Sequence, residues 1–175
     1  MQIERISEWH LSAQDDGQIA DLLARSFPTD FAGRSFFSQH HHLRLVVRDG
    51  GQIIGHMALI LRSVQLGERR MTIAGLAEVA TDTGHRGKGI AAALLQAAID
   101  EAKASPASFL LLFGEAKVYA AAGFQTVANR MAHIVLKGAR AGRVVSDGDD
   151  SLMVLPLRGA PWPASDPLDL RGPVF

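Results

Sequence analysis

The sequence predicts an α+β domain on three observations: a run of neighbouring strand-like segments, a long amphipathic helix opening directly after a glycine-rich turn, and a short apolar strand behind that helix. Leu43 to Arg48 and Gln52 to Gln65 flank Asp49-Gly50-Gly51 and read as an antiparallel hairpin. A second turn at Gly67-Glu68 leads into the apolar run Met71 to Ala80, so three adjacent strands form a meander. Gly89 to Ala104 carries Ile90, Leu94, Leu95, Ala98, Ile99 and Ala102 on one face, with Gln96, Asp100, Glu101 and Lys103 mostly on the other, and Pro106 closes it. Ser108 to Phe113 is short and continuously apolar, as in a buried strand beside a helix packed on a sheet.

The remaining elements follow from the same periodicities. Asp16 to Phe27 is an amphipathic helix, with Ile19, Leu22, Leu23 and Phe27 at helical spacing and Pro28 ending the run. Residues 28–42 read as a loop. Glu115 to Ala122 is a short helix stopped by Gly123, and Met131 to Lys137 and Leu152 to Leu157 are closing strands. Residues 138–150 read as a polar loop, and the last eighteen, with four prolines, as an irregular tail. With neither internal repeat nor linker, residues 1–175 are expected to form a single domain with its tail at about 158–175.

Composition narrows the function classes. Of the residues, 47% are apolar and 21% charged, which is ordinary for a globular chain and unlike a disordered one. Eighteen basic residues balance eighteen acidic ones, so net charge gives no reason to expect nucleic acid or an anionic membrane as partner, and any anion site must be local. The start Met1-Gln2-Ile3-Glu4-Arg5 lacks a signal-peptide pattern and no apolar run approaches a membrane span, so a cytoplasmic chain is expected. The absence of cysteine excludes disulfides, thiolate metal sites and a cysteinyl intermediate.

The chemistry concentrates at Thr83-Gly84-His85-Arg86-Gly87-Lys88-Gly89, between a strand and a long helix. Small residues let the backbone approach an anion, and the unpaired N–H groups and positive dipole end of the helix face it. Arg86 and Lys88 add charge. A dinucleotide fold would need an acidic residue about 20 positions on, which is missing, and hairpins stand where a βαβ unit should. A Walker loop would need Ser or Thr after Lys88, where Gly89 stands.

Val79 through Ala91 resembles the strand-and-loop signature of the GCN5-related N-acetyltransferases, whose core Arg/Gln-x-x-Gly-x-Gly/Ala appears as Arg86-Gly87-Lys88-Gly89-Ile90-Ala91. Val118-Tyr119-Ala120-Ala121-Ala122-Gly123-Phe124 is similar to that family's second signature, and the resemblance spans about residues 43–137. It implies a mixed, mostly antiparallel sheet flanked by helices and splayed around the cofactor strand, with acetyl-CoA as donor. Backbone groups of Val79, Ala80 and Thr81 would pair with pantetheine, and the N–H groups of Arg86, Gly87, Lys88, Gly89, Ile90 and Ala91 would bind pyrophosphate. A small-molecule amine is the implied acceptor, no metal is called for, and a homodimer stays open. More distantly, Gly55-His56-Met57-Ala58, the turn at Gly67 and the tail Leu155-Pro156 and Asp169 to Pro173 resemble the aminoglycoside 2′-N-acetyltransferases and nodulation N-acyltransferases.

Deprotonating an alkylammonium calls for a base, and the departing thiolate benefits from an acid. Tyr119, the sole tyrosine, falls on the family's general-acid position; the alternative is a packing tyrosine. Glu78 is the candidate base, since it lies in an otherwise apolar strand where desolvation raises a carboxyl pKa. A structural hydrogen bond, or a facing to the opposite side of the sheet, is its alternative, because the acid of the aminoglycoside enzymes stands one position nearer the strand's start and only a bulge would restore the facing. His56 and Glu115 are reserves. His40-His41-His42 reads as a solvated or substrate-facing loop, since extended neighbours alternate in direction and cannot all converge on one ion. Trp162 lines an acceptor cleft or pins the tail, and Asp82 stabilises the loop. A catalytically idle CoA-binding module, and an acyltransferase using longer chains or a carrier-protein thioester, are the rival readings.

Overall fold

Ser12 starts the first helix three residues earlier than the apolar periodicity suggests, because its side chain accepts the Asp15 N–H at 3.1 Å and caps the free amide end. The computed structural model describes residues 1–137 and 140–175. In it β1 (Glu4–Ser7), α1 (Ala13–Ser26), β2 (Leu43–Asp49), β3 (Gln52–Leu66), β4 (Arg69–Thr81) and α2 (Ile90–Ala104) are followed by β5 (Phe109–Phe113) and α3 (Ala116–Tyr119). Then come β6 (Gln125–Thr126), β7 (Met131–Lys137), β8 (Arg140–Asp147), β9 (Leu152–Pro156) and β10 (Leu168–Asp169). The fold is α+β, a mixed and mostly antiparallel sheet flanked by helices. No helix among the described residues is long and apolar enough to cross a membrane.

The chain divides into two compact units, and β3 and β4 each give their residues to both. The first unit comprises Met1–Ile60 and Leu76–Glu101. Its strands run antiparallel from β1 to β2 to β3, with Glu4 opposite Val46 and Leu45 opposite Met57, and the Asp49-Gly50-Gly51-Gln52 turn takes positive φ at both glycines. Ile19, Leu22 and Leu23 of α1 are fully buried against Val46, Ile53 and Ala80. Gly55 lets α2 sit against β3: a Cβ there would stand 2.5 Å from Ile90 Cγ2 and 3.0 Å from Leu94 Cδ1. Close approach, not a turn, makes this glycine necessary.

The second unit comprises Leu61–Gly75 and Ala102–Phe175. Its strands follow the order β6, β9, β5, β4, β3, β10, β7, β8, with β5 and β9 antiparallel and β10 parallel to β7. Leu66, Ile73, Leu111, Leu152 and Leu170 are fully buried in its core. The expected loop over 138–150 is corrected here: Arg140–Asp147 is a strand, in which Val144 and Val145 stand opposite Ile134 and His133. Two β-branched residues and a ladder partner outweigh the polar composition of that segment. Residues 138 and 139 lie outside the described residues. The tail is irregular except for β10, and Trp162 pins it by donating Nε1–H to Asn129 Oδ1 at 2.7 Å while packing edge-on against Phe109.

Candidate active site

Two constructions in the first unit carry chemistry, one made of backbone and one of charged side chains. The backbone site begins where β4 ends. Asp82 N donates to Ile54 O at 2.8 Å, and Asp82 Oδ1 accepts from Gly84 N at 3.0 Å and pairs with His85 Nδ1 at 2.9 Å, so the chain is held in a short turn. His85 Nε2 reaches Asp49 Oδ2 at 3.2 Å, tying the loop to the first hairpin. Gly87 and Gly89 then take φ of 76° and 78°, a left-handed conformation that other residues adopt only with strain, and α2 opens at Ile90. A Cβ at either glycine would meet no protein atom within 4 Å, so the space over both is open.

That space belongs to a cleft of about 130 Å³ lined by Thr81, His85, Arg86, Gly87, Gly89, Ile90, Ala91 and Ala92. The first-turn amides of α2 have no intrahelical acceptor and carry the positive end of its dipole. Arg86 and Lys88 are exposed and have no carboxylate partner among the described residues, though Lys88 does not line the cleft. Thr81 Oγ1 is buried without a hydrogen-bond partner. Ala80 turns its side chain into the core, which leaves only backbone from that residue to meet a ligand. Open backbone, uncompensated cations and an orphaned hydroxyl fit a ligand bearing phosphate and amide groups.

The second construction is built around Arg44, whose side chain is wholly buried. Its Nε and Nη2 grip Glu8 at 2.9 and 3.2 Å, and Nη1 donates to Ser35 O at 2.8 Å and Glu78 Oε2 at 3.2 Å. Glu78 Oε1 accepts the Phe37 N–H at 2.7 Å. Burial pushes the Glu78 carboxyl up to about 7, against the opposing pull of Phe37 N–H and Arg44. Burial pushes Glu8 the same way, yet its bonds to Arg44 and His40 prevail and hold it below the usual carboxylate range. One cation thus serves two carboxylates, and Glu8 holds the larger share.

Glu78 itself has φ of 53°, in the left-handed region. That left-handed residue interrupts the extended alternation of β4. His56 stabilises the break: fully buried, it donates Nδ1–H to Glu78 O at 2.8 Å, and burial holds it neutral with a pKa of about 3. Of the reserve bases, His56 is therefore committed to the backbone, and Glu115 is an exposed partner of Lys117 at 2.6 Å with a lowered pKa. Of the three histidines, His40 is exposed beside Glu8 and His41 is buried beside Glu78, so the expected solvated or substrate-facing loop has one of its histidines packed inside.

In the second unit Tyr119 ends α3 and is nine-tenths buried, its ring edge-on to Phe124. Gly114 makes room for it, since a Cβ there would stand 2.6 Å from Tyr119 Cε2. Burial raises the phenol pKa, so the hydroxyl stays a donor at neutral pH. Sequence reasoning missed Glu8, Arg44, the burial of His41 beside Glu78 and the spacing roles of Gly55 and Gly114. Of these, Arg44 had a legible signal, a cation in the apolar run Leu43 to Val47.

A family model for the acetyltransferase (GNAT) domain matches residues 10–127, more than half of the chain. The chain belongs to the GNAT acetyltransferase family. Its general reaction is therefore acyl transfer, and GNAT enzymes use acetyl-CoA. The fold is similar to that of a GNAT family N-acetyltransferase, YhbS, from Escherichia coli in complex with CoA, at 21% identity and a TM-score of 0.65 over 97% of this chain and 90% of that one. It is also similar to a GNAT family acetyltransferase from Brucella melitensis in complex with acetyl-CoA, at 18% identity and a TM-score of 0.62 over 95% and 94% of the two chains. The ribosomal-protein-S18-alanine N-acetyltransferase from Escherichia coli matches at 18% identity and a TM-score of 0.61 over 93% and 98%. At these identities the likeness establishes the fold. No match is found among curated proteins.

Proposed function

We propose that the protein transfers an acetyl group from acetyl-CoA to a primary amine of a small molecule by direct attack within a ternary complex. The observation that carries this reading is a buried carboxyl, Glu78, with a pKa of about 7 on the strand whose last residue, Thr81, lines the phosphate-type cleft. A base poised near the working pH is what an incoming ammonium needs. When bound, the cofactor supplies an activated acyl thioester.

The chain's own residues would act as follows. The amides of residues 86–91 hold pyrophosphate at the start of α2, with Arg86 adding charge at the cleft and Lys88 beside it, and backbone of Val79, Ala80 and Thr81 pairs with pantetheine. The proton that leaves the ammonium comes to rest on Glu78, freeing the nitrogen lone pair for attack on the acyl carbon. Tyr119, kept protonated by burial, donates to the sulfur as it departs. Phe37 N–H and Arg44 hold the Glu78 carboxyl in one orientation, so the base is positioned before the acceptor arrives.

The test is a matrix of acyl-CoA donors and amine acceptors, read by thiol release and by mass of the product. Acetyl-CoA with at least one small primary amine is expected to give an N-acetyl product. CoA binding without turnover across the whole matrix would support an idle CoA-binding module instead, and a preference for longer acyl groups would correct the donor.

A further inference from the structure

Within the buried cluster one side chain stands uncommitted. Arg44, Glu8, His40, His56 and Glu78 all direct polar atoms to partners at hydrogen-bond distance. His41 directs none: its side chain is 1% exposed and neither ring nitrogen has a hydrogen-bond partner. A neutral imidazole carries one donor and one acceptor, and both are without a protein partner in this buried cluster. Yet Nδ1 lies 3.6 Å from Glu78 Oε2, so a movement of roughly 0.7 Å would bring the pair to ordinary hydrogen-bond length.

We propose that His41 is a positioning residue for Glu78 and that the two form one titrating pair, in which the neutral ring donates Nδ1–H to the carboxylate and switches tautomer to accept at Nδ1 from the carboxylic acid. The pair takes up a single proton: one added at Nε2 sends the Nδ1 proton to Oε2, and release runs the same path backwards, so no imidazolium accumulates. This rests on the reading of Glu78 as the base.

Every other hydrogen-bond partner of Glu78 has a fixed donor role. Phe37 N–H holds Oε1 at 2.7 Å, Arg44 Nη1 gives one N–H to Oε2 at 3.2 Å, and His56 takes the backbone carbonyl. Glu8 stands beyond Arg44 and opposes ionisation. Arg44 and Phe37 N–H can serve the anion but can accept nothing from the acid. His41 is the neighbour able to do both, and its unspent Nδ1 lies nearest Oε2, which accepts one bond from Arg44 and can accept another. Burial and the charge of Arg44 hold His41 far below the ordinary imidazole range, while Glu78 sits near 7, so the proton rests on the carboxyl and His41 is not its store.

The decisive readout needs no acceptor. In wild-type protein with 15N-labelled histidine, His41 is expected to be neutral throughout, with Nδ1–H above the Glu78 midpoint and Nε2–H below it. The Glu78 carboxyl, assigned by its loss in Glu78→Gln and followed by 13C NMR, is expected to titrate about one pH unit higher in His41→Leu, a tenfold gain in proton affinity, because the charge-assisted bond to the anion is the stronger one lost. His41→Asn, which keeps a donor at the Nδ1 position, is expected to restore the wild-type midpoint. A single His41 tautomer across the titration, or a midpoint unmoved in His41→Leu, overturns the proposal; if the leucine variant does not fold, the wild-type nitrogen spectrum still decides. Unimpaired acetyl transfer by Glu78→Gln would instead remove Glu78 as the base, whatever tautomer His41 adopts.

Discussion

The glycine loop and the Arg44 cluster occupy the same unit of the chain, yet they are built on opposite physical terms. The loop is open and local: seven consecutive residues, 83–89, turn two left-handed glycines and a helix start toward solvent. The cluster is buried and non-local, joining Glu8, Ser35, His41, Arg44, His56 and Glu78 from five separate stretches of chain. Binding an exposed diphosphate needs only backbone that nothing else has claimed. Removing a proton from an ammonium needs an ionised carboxyl whose proton affinity is raised toward the working pH, and burial supplies that rise while Arg44 offsets part of the cost of the buried anion.

The largest consequence of that difference falls on Arg44. Replacing it with Met leaves Glu8 and Glu78 buried without their cation, and a loss of about 3–5 kcal/mol is expected from urea unfolding at neutral pH. A loss below about 1 kcal/mol would mean that water reaches the cluster and that it is no more dry than the loop. Neutralising Lys88 in the loop should leave stability nearly unchanged by the same measurement, which sharpens the contrast.

Glu78→Gln tests the other side of the pair. The folded pKa of Glu78, about 7, lies above its unfolded value near 4.5, so the native state binds this proton more tightly. Wild-type protein therefore loses stability from this group as pH rises from about 4.5 through 7, and the variant does not. At pH 8 the variant is expected to be more stable by on the order of 3 kcal/mol, while its acetyl transfer collapses. His56 acts in the opposite sense: its folded pKa of about 3 lies below the unfolded value of 6.5, so its contribution is present above pH 6.5 and lost as pH falls toward 3. Urea midpoints measured across that range for both proteins separate the two, and equal midpoints at pH 8 would place Glu78 in solvent.

The same contrast explains what could be read before the fold was known. Arg86-Gly87-Lys88-Gly89-Ile90-Ala91 was legible because helix-end physics and the family signature both act within a few residues. Most strands and helices were legible from periodicity, and Arg140–Asp147 was hidden only because its polar residues outnumber Val144 and Val145. Glu78 was legible as a lone acid in an apolar strand, but its left-handed backbone and the His56 bond that supports it depend on β3 lying beside β4. Glu8, thirty-six residues from Arg44 along the chain, carries no local sign of its bond to it. Gly55 and Gly114 looked like ordinary strand and loop glycines, and only Ile90 and Tyr119 packed against them give their purpose.

A smaller effect is expected at Tyr119. Positioned acid catalysis contributes roughly 10²–10⁴-fold, and a thiolate is already a fair leaving group, so Tyr119→Phe should lower kcat by about 10² with little change in acetyl-CoA affinity. The ring still packs against Phe124 and Gly114. Wild-type turnover in the folded variant, measured where chemistry limits the rate, would leave Tyr119 as a packing residue.

The most direct test of the central claim, that loop backbone at the start of α2 holds the CoA pyrophosphate, is calorimetric titration of CoA, acetyl-CoA and NAD into wild-type protein and Gly89→Val. The open space over Gly89 and its φ of 78° mean that a branched side chain both strains the turn and fills the place proposed for the anion. Wild-type protein is expected to bind CoA and acetyl-CoA in the micromolar range and NAD far more weakly, and Gly89→Val to weaken CoA at least about tenfold, the equivalent of ~1.4 kcal/mol, while remaining folded. An unchanged CoA dissociation constant in Gly89→Val, or tight binding of NAD with none of CoA, would contradict the account.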